Sequence, residues 1–419
     1  MVKETYRSIV LKVKPDKEQE KIMWKHINYS RFIYNYMLEK YWGNLEKGVF
    51  IDQKTMSYLL TNMKKCKEYS FLNEVSRKTL VGKINDLSGT LIRYHKQEIN
   101  RPKFKSKKKE YKIFPLRHDR IHFNKYRHIK LEKIGYLKIS NGTYNNYKDI
   151  IEGESFKPHN TKCYFDGKYW YVSLAYKVEK QDFKELTKET IGIDLGLKTL
   201  VTCSNGKTYK NINKSQRVKK LEKQLKRKQR QLSRKYEMNK DKLGIYHLDK
   251  EGKPVKTKKG SYKISLLKTK NIIKLEKEIL LLSRKLKNIR NNHIHTMTKE
   301  IVERYPQEIV IEDLKVRNML KNKHLSKHIS KANWYKFREY ITYKCEDKGI
   351  LLTVANTYYP SSQTCSNCGK QKTKQDKLSL KDRTFNCECG NTLDRDLNAS
   401  LNLRDYRYSK WYKNYIDSK

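Results

Sequence analysis

Two close pairs of cysteines near the carboxy-terminal end constrain this chain more than any other feature. The first reads Cys365-Ser-Asn-Cys368-Gly369 and the second Cys387-Glu-Cys389-Gly390. Zinc takes four soft ligands in a tetrahedron, and two short cysteine loops on neighbouring turns supply them. Gly369 and Gly390 each follow the second cysteine of a pair, where a positive φ lets the chain fold back around a metal. The second pair has one intervening residue where two are usual, so that loop is tighter but still able to chelate. The alternative is four unrelated reduced thiols, and the spacing favours one structural Zn²⁺ on Cys365, Cys368, Cys387 and Cys389. Four thiolates leave no open position for water, so any chemistry must come from elsewhere.

Acidic residues point to where. Asp394-Arg-Asp396-Leu-Asn398-Ala399 follows the second pair and opens an apolar-patterned segment, Leu397 to Leu403. Asp194 ends the apolar run in Thr190-Ile-Gly-Ile-Asp194-Leu-Gly196, and Glu312 ends Glu308-Ile-Val-Ile-Glu312-Asp-Leu. Three separated carboxylates brought together can hold two Mg²⁺ ions for in-line phosphodiester cleavage.

These motifs, in this order, resemble the TnpB family, RNA-guided DNA nucleases of bacterial insertion sequences related to the compact type V CRISPR effectors. The specific motifs cover about residues 190–405, and the amino-terminal half matches more loosely. The Cys387-x-Cys389 spacing departs from the family's commoner pattern. The resemblance implies a wedge β-barrel carrying a helical recognition lobe, then a RuvC-like nuclease domain of the RNase H type with an inserted zinc ribbon. It implies Asp194, Glu312 and Asp396 as catalytic magnesium ligands, with two Mg²⁺, one Zn²⁺ and a guide RNA as cofactors. Asp396 is preferred to Asp394 because it matches the family's Asp-x-Asn-Ala. Glu312 is preferred to Asp313, which is left as a supporting residue or a helix cap. The implied partners are guide RNA and a double-stranded DNA target beside a short target-adjacent motif.

Charge agrees with such partners. Lys+Arg total 95 against 45 Asp+Glu, a net charge of +50. That much charge repels itself in a compact protein unless polyanions are its company. Codon bias would also enrich Lys, but it would tend to raise Glu as well. Tyr is plentiful, 31 against 11 Phe, and Tyr beside Lys suits base stacking as well as core filling. Cys66, Cys163, Cys203 and Cys345 are isolated, which suits a reducing cytosol, so a cytoplasmic protein is expected. No run reaches membrane-spanning length, and the amino-terminal residues carry no apolar signal region.

Along the chain, Ile9, Leu11 and Val13 alternate with Lys12 and Lys14 as a half-buried strand. Asp16 with Gln19 then caps a helix whose apolar face runs from Ile22 to Leu38. Helical pattern continues to about residue 100, followed by the basic stretch Arg101–Lys109, read as a phosphate-contacting loop interrupted by Phe104. Residues 110–180 read as strands, with a hairpin turn at Asp166-Gly167. Two amphipathic helices flank a Lys- and Gly-rich loop at 238–263, and His293 and His295 after them read as core or backbone contacts. Residues 309–311 form a strand buried on both faces. Trp334–Cys345 reads as a helix and Ile350–Val354 as a strand, and the tail Arg404–Lys419 as aromatic and basic, disordered or touching RNA.

The expected architecture is therefore α+β and multidomain. A wedge barrel with its helical insert at about 16–100 fills 1–189, and the nuclease domain with a helical hairpin fills 190–357. The ribbon takes 358–392, and the final nuclease segment and tail take 393–419. A monomer is expected, with a dimer as the alternative, and no membrane association. Two rivals stand beside an endonuclease: a nuclease-dead relative, or a guide-free zinc-ribbon DNA-binding regulator. All three acids being present argues against the first, and the second leaves the strand-end acids unexplained. An actin-like ATPase also opens with Ile-Gly-Ile-Asp-Leu-Gly, but Leu197-Lys198-Thr199 replaces the Gly- or Thr-rich phosphate loop such proteins need.

Overall fold

A computed structural model describes residues 5–107, 112–124, 127–153, 156–178, 184–239, 244–246, 252, 254, 264–373, 375–379 and 382–417. The chain divides into two compact units, 1–181 and 182–419.

The first unit opens with strand β1 (Thr5–Lys14), and three helices intervene before the next strand: α1 (Lys17–Leu45), α2 (Gln53–Met63) and α3 (Arg77–His95). The expected capping box is present. Gln19 N donates to Asp16 Oδ1 at 2.8 Å, and Asp16 N donates to Gln19 Oε1 at 3.1 Å, so both orphan donors are satisfied. The helices close over Ile33, Leu38, Tyr41, Leu60 and Leu87, all buried. Strands β2 (Ile113–Leu116), β3 (His122–Asn124), β4 (His128–Leu131), β5 (Gly135–Ile139), β6 (Pro158–Phe165) and β7 (Trp170–Val178) join β1 in a seven-stranded sheet. Its order is β2-β6-β7-β1-β5-β4-β3, antiparallel at every pairing. Edge strands β2 and β3 do not pair with each other among the described residues.

Two readings need correction here. The stretch read as all strands contains helix α4 (Asn141–Ile151). Tyr144, Tyr147 and Ile151 recur at helical spacing and pack on the sheet core, while the Asn and Gly residues around them hide the periodicity. The basic loop at 101–107 is tied to α1. Lys105 N donates to Asn35 Oδ1 and Asn35 Nδ2 donates to Lys105 O, at 2.8 and 3.0 Å. The Arg101 guanidinium stacks 4.3 Å from the Trp42 ring centroid. Lys108 and Lys109 lie outside the described residues. The hairpin turn falls on Gly167 and Lys168, one residue later than read, with Asp166 N donating to Tyr169 O.

The second unit is built on a five-stranded sheet of order β10-β9-β8-β13-β14. Its strands are β8 (Thr187–Leu195), β9 (Thr199–Cys203), β10 (Thr208–Lys210), β13 (Pro306–Glu312) and β14 (Leu351–Ala355). Strands β8, β13 and β14 run parallel, and β9 and β10 return antiparallel. Helices α5 (Gln216–Met238) and α6 (Lys270–Val302) form the expected hairpin, pinned by Lys228–Glu278, Arg290–Glu222 and Tyr236–Glu276. Lys219, Lys220, Lys223, Lys226, Arg227 and Arg230 of α5 face solvent. The loop expected at 238–263 lies mostly outside the described residues; strands β11 (Gly244–Tyr246) and β12 (Ile264–Leu266) pair at its base. Helices α7 (Val316–Met319), α8 (Ser326–Ala332) and α9 (Trp334–Lys348) lead to β14.

A small hairpin, β15 (Thr384–Asn386) with β16 (Thr392–Asp394), then runs directly into α10 (Arg395–Arg404). The tail, left open between disorder and RNA contact, forms helix α11 (Lys410–Asp417). Tyr359, Trp411 and Tyr412 pack there around buried Tyr406 and Leu403. No helix among the described residues is long and apolar enough to cross a membrane.

Candidate active site and metal centre

Parallel pairing puts two of the expected acids side by side. Ile193 of β8 is in register with Ile311 of β13, so the next residues, Asp194 and Glu312, leave the same end of the sheet. The third arrives on α10. Gly192 of β8 permits this: a Cβ there would lie 2.0 Å from Ser400 O and 2.3 Å from Arg404 N. Helix α10 therefore rests on the bare backbone of β8, and its first turn carries Asp396 to the strand end. A Cβ at Gly196, just past Asp194, would lie 3.9 Å from Asp396 Oδ2.

Electrostatics ties the three together. Burial pushes the Asp194 carboxyl well above its ordinary range, and the charges of Glu312 and Asp396 push it further. Glu312 is also raised by burial, opposed by hydrogen bonds from Asp194 and Ser361; Ser361 Oγ donates to Oε1 at 3.3 Å. Asp396 is raised by burial and by the neighbouring Asp394, while Arg383, 3.9 Å away, pulls the other way. Three half-buried carboxyls, each raised above its ordinary range, need positive charge to ionise together. A divalent cation would supply it, and an all-oxygen donor set suits Mg²⁺ rather than a soft metal. The donor set thus fits the expected ion.

Asp394 and Asp313 have other work. Asp394 Oδ1 accepts from the backbone N of Asp396 and of Leu397, at 2.9 and 3.1 Å, and so caps α10. Asp313 is no helix cap. Lys315, Arg338 and Thr357 all donate to its carboxylate at 2.6 to 2.9 Å, and Lys315 first among them holds its pKa at about 2. His293 contacts Lys210 O through Nε2, a backbone contact as expected. Ser361, Arg383 and Arg395 were not anticipated at the site. Only Arg395 had a signal, its place inside the Asp-Arg-Asp motif.

The cysteine cluster is more compact than the acids. Among the described residues, Cys365, Cys368, Cys387 and Cys389 alone bring three or more potential ligand atoms within 4.8 Å of one another. Sγ–Sγ distances are 3.7 Å for Cys365–Cys389 and 3.6 Å for Cys368–Cys387. A tetrahedron with Zn–S bonds of about 2.3 Å has edges of about 3.8 Å, so the four thiols fit zinc. Gly369 and Gly390 take φ of 72° and 82°, the left-handed conformation each knuckle needs. Burial raises the Cys365 thiol, but backbone N–H donors and the Asn391 amide outweigh it and hold it at about 6. The other four cysteines stand apart, and burial lifts Cys203 and Cys345 to about 12, leaving them inert.

Known proteins resemble this chain over nearly its whole length. Three family models match in chain order: a helix-turn-helix domain at residues 1–48, a probable transposase of the OrfB/IS605 type at 173–323, and a Cas12f1-like TNB domain at 334–403. Together with the relatives below, these matches support a protein of the TnpB family. Within the family's first matched region the fold is a strand followed by one long helix. A relative from Streptomyces pristinaespiralis, provisionally named an RNA-guided DNA endonuclease, is 28% identical over 96% of this chain and 90% of its own. One from Escherichia coli K12 with the same provisional description is 26% identical over 93% and 90%. Among solved structures, a Cas12f1–sgRNA–target DNA complex superposes with a TM-score of 0.55 at 15% identity, covering 96% of this chain and 99% of the other. That likeness concerns the fold.

Proposed function

We propose that this chain is an RNA-guided DNA endonuclease. It cuts double-stranded DNA beside a short target-adjacent motif, using one RuvC-type site for both strands in turn. One observation carries the reading: Asp194, Glu312 and Asp396, from three distant segments, converge at one end of the sheet. A sheet that merely needed stability would not gather three half-buried acids without a cation. Two bound Mg²⁺ ions would supply Lewis acidity and an activated water. The chain's own part is positional. Asp194 sits centrally, between Glu312 on the neighbouring strand and Asp396 on α10. Ser361 orients Glu312, and Arg383 and Arg395 moderate the negative charge. Asp313 holds Arg338 and Lys315 beside the cleft, where cationic groups suit a phosphate backbone.

Guide RNA is the partner that answers a net charge of +50, and the exposed basic face of α5 suits an RNA–DNA duplex. The domain reading puts a wedge and recognition lobe up to about residue 189, the nuclease domain from 190, the ribbon at 358–392 and the last nuclease segment beyond it, its first boundary falling some eight residues after the division between the two units at 181/182. The test is direct. RNA that copurifies with the protein is sequenced, and a plasmid bearing the matching target is offered with Mg²⁺. Guide-dependent linearisation supports the proposal. Binding without any cutting by the unaltered protein would favour a nuclease-dead regulator instead.

A further inference from the structure

One side chain joins the cysteine cluster to the acid site. Asn398 lies on α10 two residues after Asp396 and is fully buried. Its Nδ2 donates to Thr364 O at 2.7 Å, and its Oδ1 accepts from Ser366 N at 3.0 Å. Those two backbone groups flank Cys365, so both ends of the amide are committed to the chain around one thiol. One turn on, buried Asn402 donates to Thr364 O at 2.6 Å and to Ser361 O at 2.7 Å. Ser361 in turn donates to Glu312. Asn is a poor helix former in mid-helix, and α10 carries two, one turn apart, both turned onto the same loop. The second link is covalent. The turn holding Cys387 and Cys389 closes hairpin β15–β16, whose last residue, Asp394, caps α10.

We propose that Asn398 is a positioning residue that transmits the metal state of the cysteine cluster to Asp396. The acid site then holds a divalent cation tightly only when the four thiols hold zinc. This rests on reading Asp194, Glu312 and Asp396 as a divalent-cation site. Without zinc, the four thiols, 3.6 to 3.7 Å apart in pairs, keep only weak sulfur hydrogen bonds to one another and to the Asn367 and Asn391 amides. Once Cys365 shifts, Thr364 O and Ser366 N shift with it. The Asn398 amide must follow or leave its bonds unmade in a buried place. Either way the first turn of α10 loses its fixed height above β8.

The experiment is a Mn²⁺ titration of the full-length protein without nucleic acid, followed by the electron paramagnetic resonance signal of free Mn²⁺. Zinc-loaded protein is compared with protein stripped by a chelator and desalted, and Asp194→Ala supplies the background. Stripping zinc should weaken Mn²⁺ binding by about tenfold, as losing outer-shell support does at other metal sites. Asn398→Ala should show that weakening with zinc still bound, and stripping should then change it by less than about twofold, the signature of a broken coupling. Asn398→Asp keeps the acceptor for Ser366 N and should fall between the two. Equal Mn²⁺ affinity with and without zinc in the unaltered protein overturns the proposal, whether or not the variants fold. A full tenfold loss on stripping Asn398→Ala also overturns it, because the coupling would then run through the hairpin alone. Absence of any Asp194-dependent Mn²⁺ binding overturns the reading of the acid site itself.

Discussion

Replacing Gly192 with alanine tests how Asp396 is brought to its place. The new methyl would lie 2.0 Å from Ser400 O, 2.3 Å from Arg404 N and 2.9 Å from Leu403 C, all backbone atoms of α10. Ordinary contact begins near 3.4 Å, so helix and strand must part by about 1.4 Å at Ser400. No side chain can rotate away to relieve the clash. Overpacking of this kind costs about 1–3 kcal/mol, and a backbone clash belongs at the upper end. For a unit of this size that lowers the melting temperature by about 6–12 °C. Asp396 lies one turn from Ser400, so it moves with the helix. A displacement of about 1 Å at a catalytic group costs about 100-fold in rate. The assay pairs thermal unfolding with guide-dependent plasmid cleavage at a temperature where the variant is folded. Gly89→Ala is the control: it lies inside α3 with nothing within 4 Å of its Cβ, and should stabilise by up to about 1 kcal/mol. If Gly192→Ala melts with the unaltered protein and cuts within threefold of it, α10 does not rest on β8 as described.

Four further outcomes are expected. Asp194→Ala, Glu312→Ala and Asp396→Ala should each abolish cutting of both strands while leaving guide-directed DNA binding nearly intact; Asp394→Ala should lose only a helix cap, about 1 kcal/mol of stability, and a variant pattern that swaps Asp394 and Asp396 would refute the assignment. The purified protein should carry about one zinc per chain, and full occupancy in a Cys365→Ser, Cys387→Ser double variant would refute that centre. Burial lowers the His26 pKa from 6.5 to about 4; its Nε2 accepts from Ser76 N at 3.1 Å and Nδ1 meets Ile22 O at 2.9 Å. The unfolded chain therefore binds the extra proton first, and about 3 kcal/mol of stability should be lost as pH falls from 6.5 toward 4, a loss that His26→Gln should remove in unfolding titrations at pH 7.5 and 5. RNA should raise the melting temperature, and its affinity should fall steeply with salt; an affinity indifferent to salt would contradict the electrostatic reading of the +50 charge.

Much of the site was legible because it is written in local patterns. Strand-end acids follow apolar runs at 191–193 and 309–311, and cysteine spacing alone marks the metal centre. What stayed hidden depends on contacts across long stretches of chain. Asp394 and Asp396 are two residues apart and chemically identical, and only the place where α10 starts makes one a cap and the other a site residue. Helix α4 was missed because its buried face is three residues wide in a run of Asn, Gly and Lys. The anchoring of the basic loop after α3 was not legible because its partner, Asn35, lies 70 residues earlier. The tail could be read only as disordered or touching RNA because its partners, Tyr359 and Leu403, are brought to it only by the folded sheet.

The groove left by Gly192 also orders events during synthesis. Strand β8 leaves the ribosome about two hundred residues before the helix that fills its groove, and domains generally fold in the order they emerge. The first unit can therefore close while the second still lacks α10. Until residues 395–404 arrive, the nascent sheet has two acids and no third. On the proposed reading, a chain interrupted between the end of the first unit at residue 181 and that point would have a folded amino-terminal unit and no complete cutting centre, so such truncated products should be harmless to DNA.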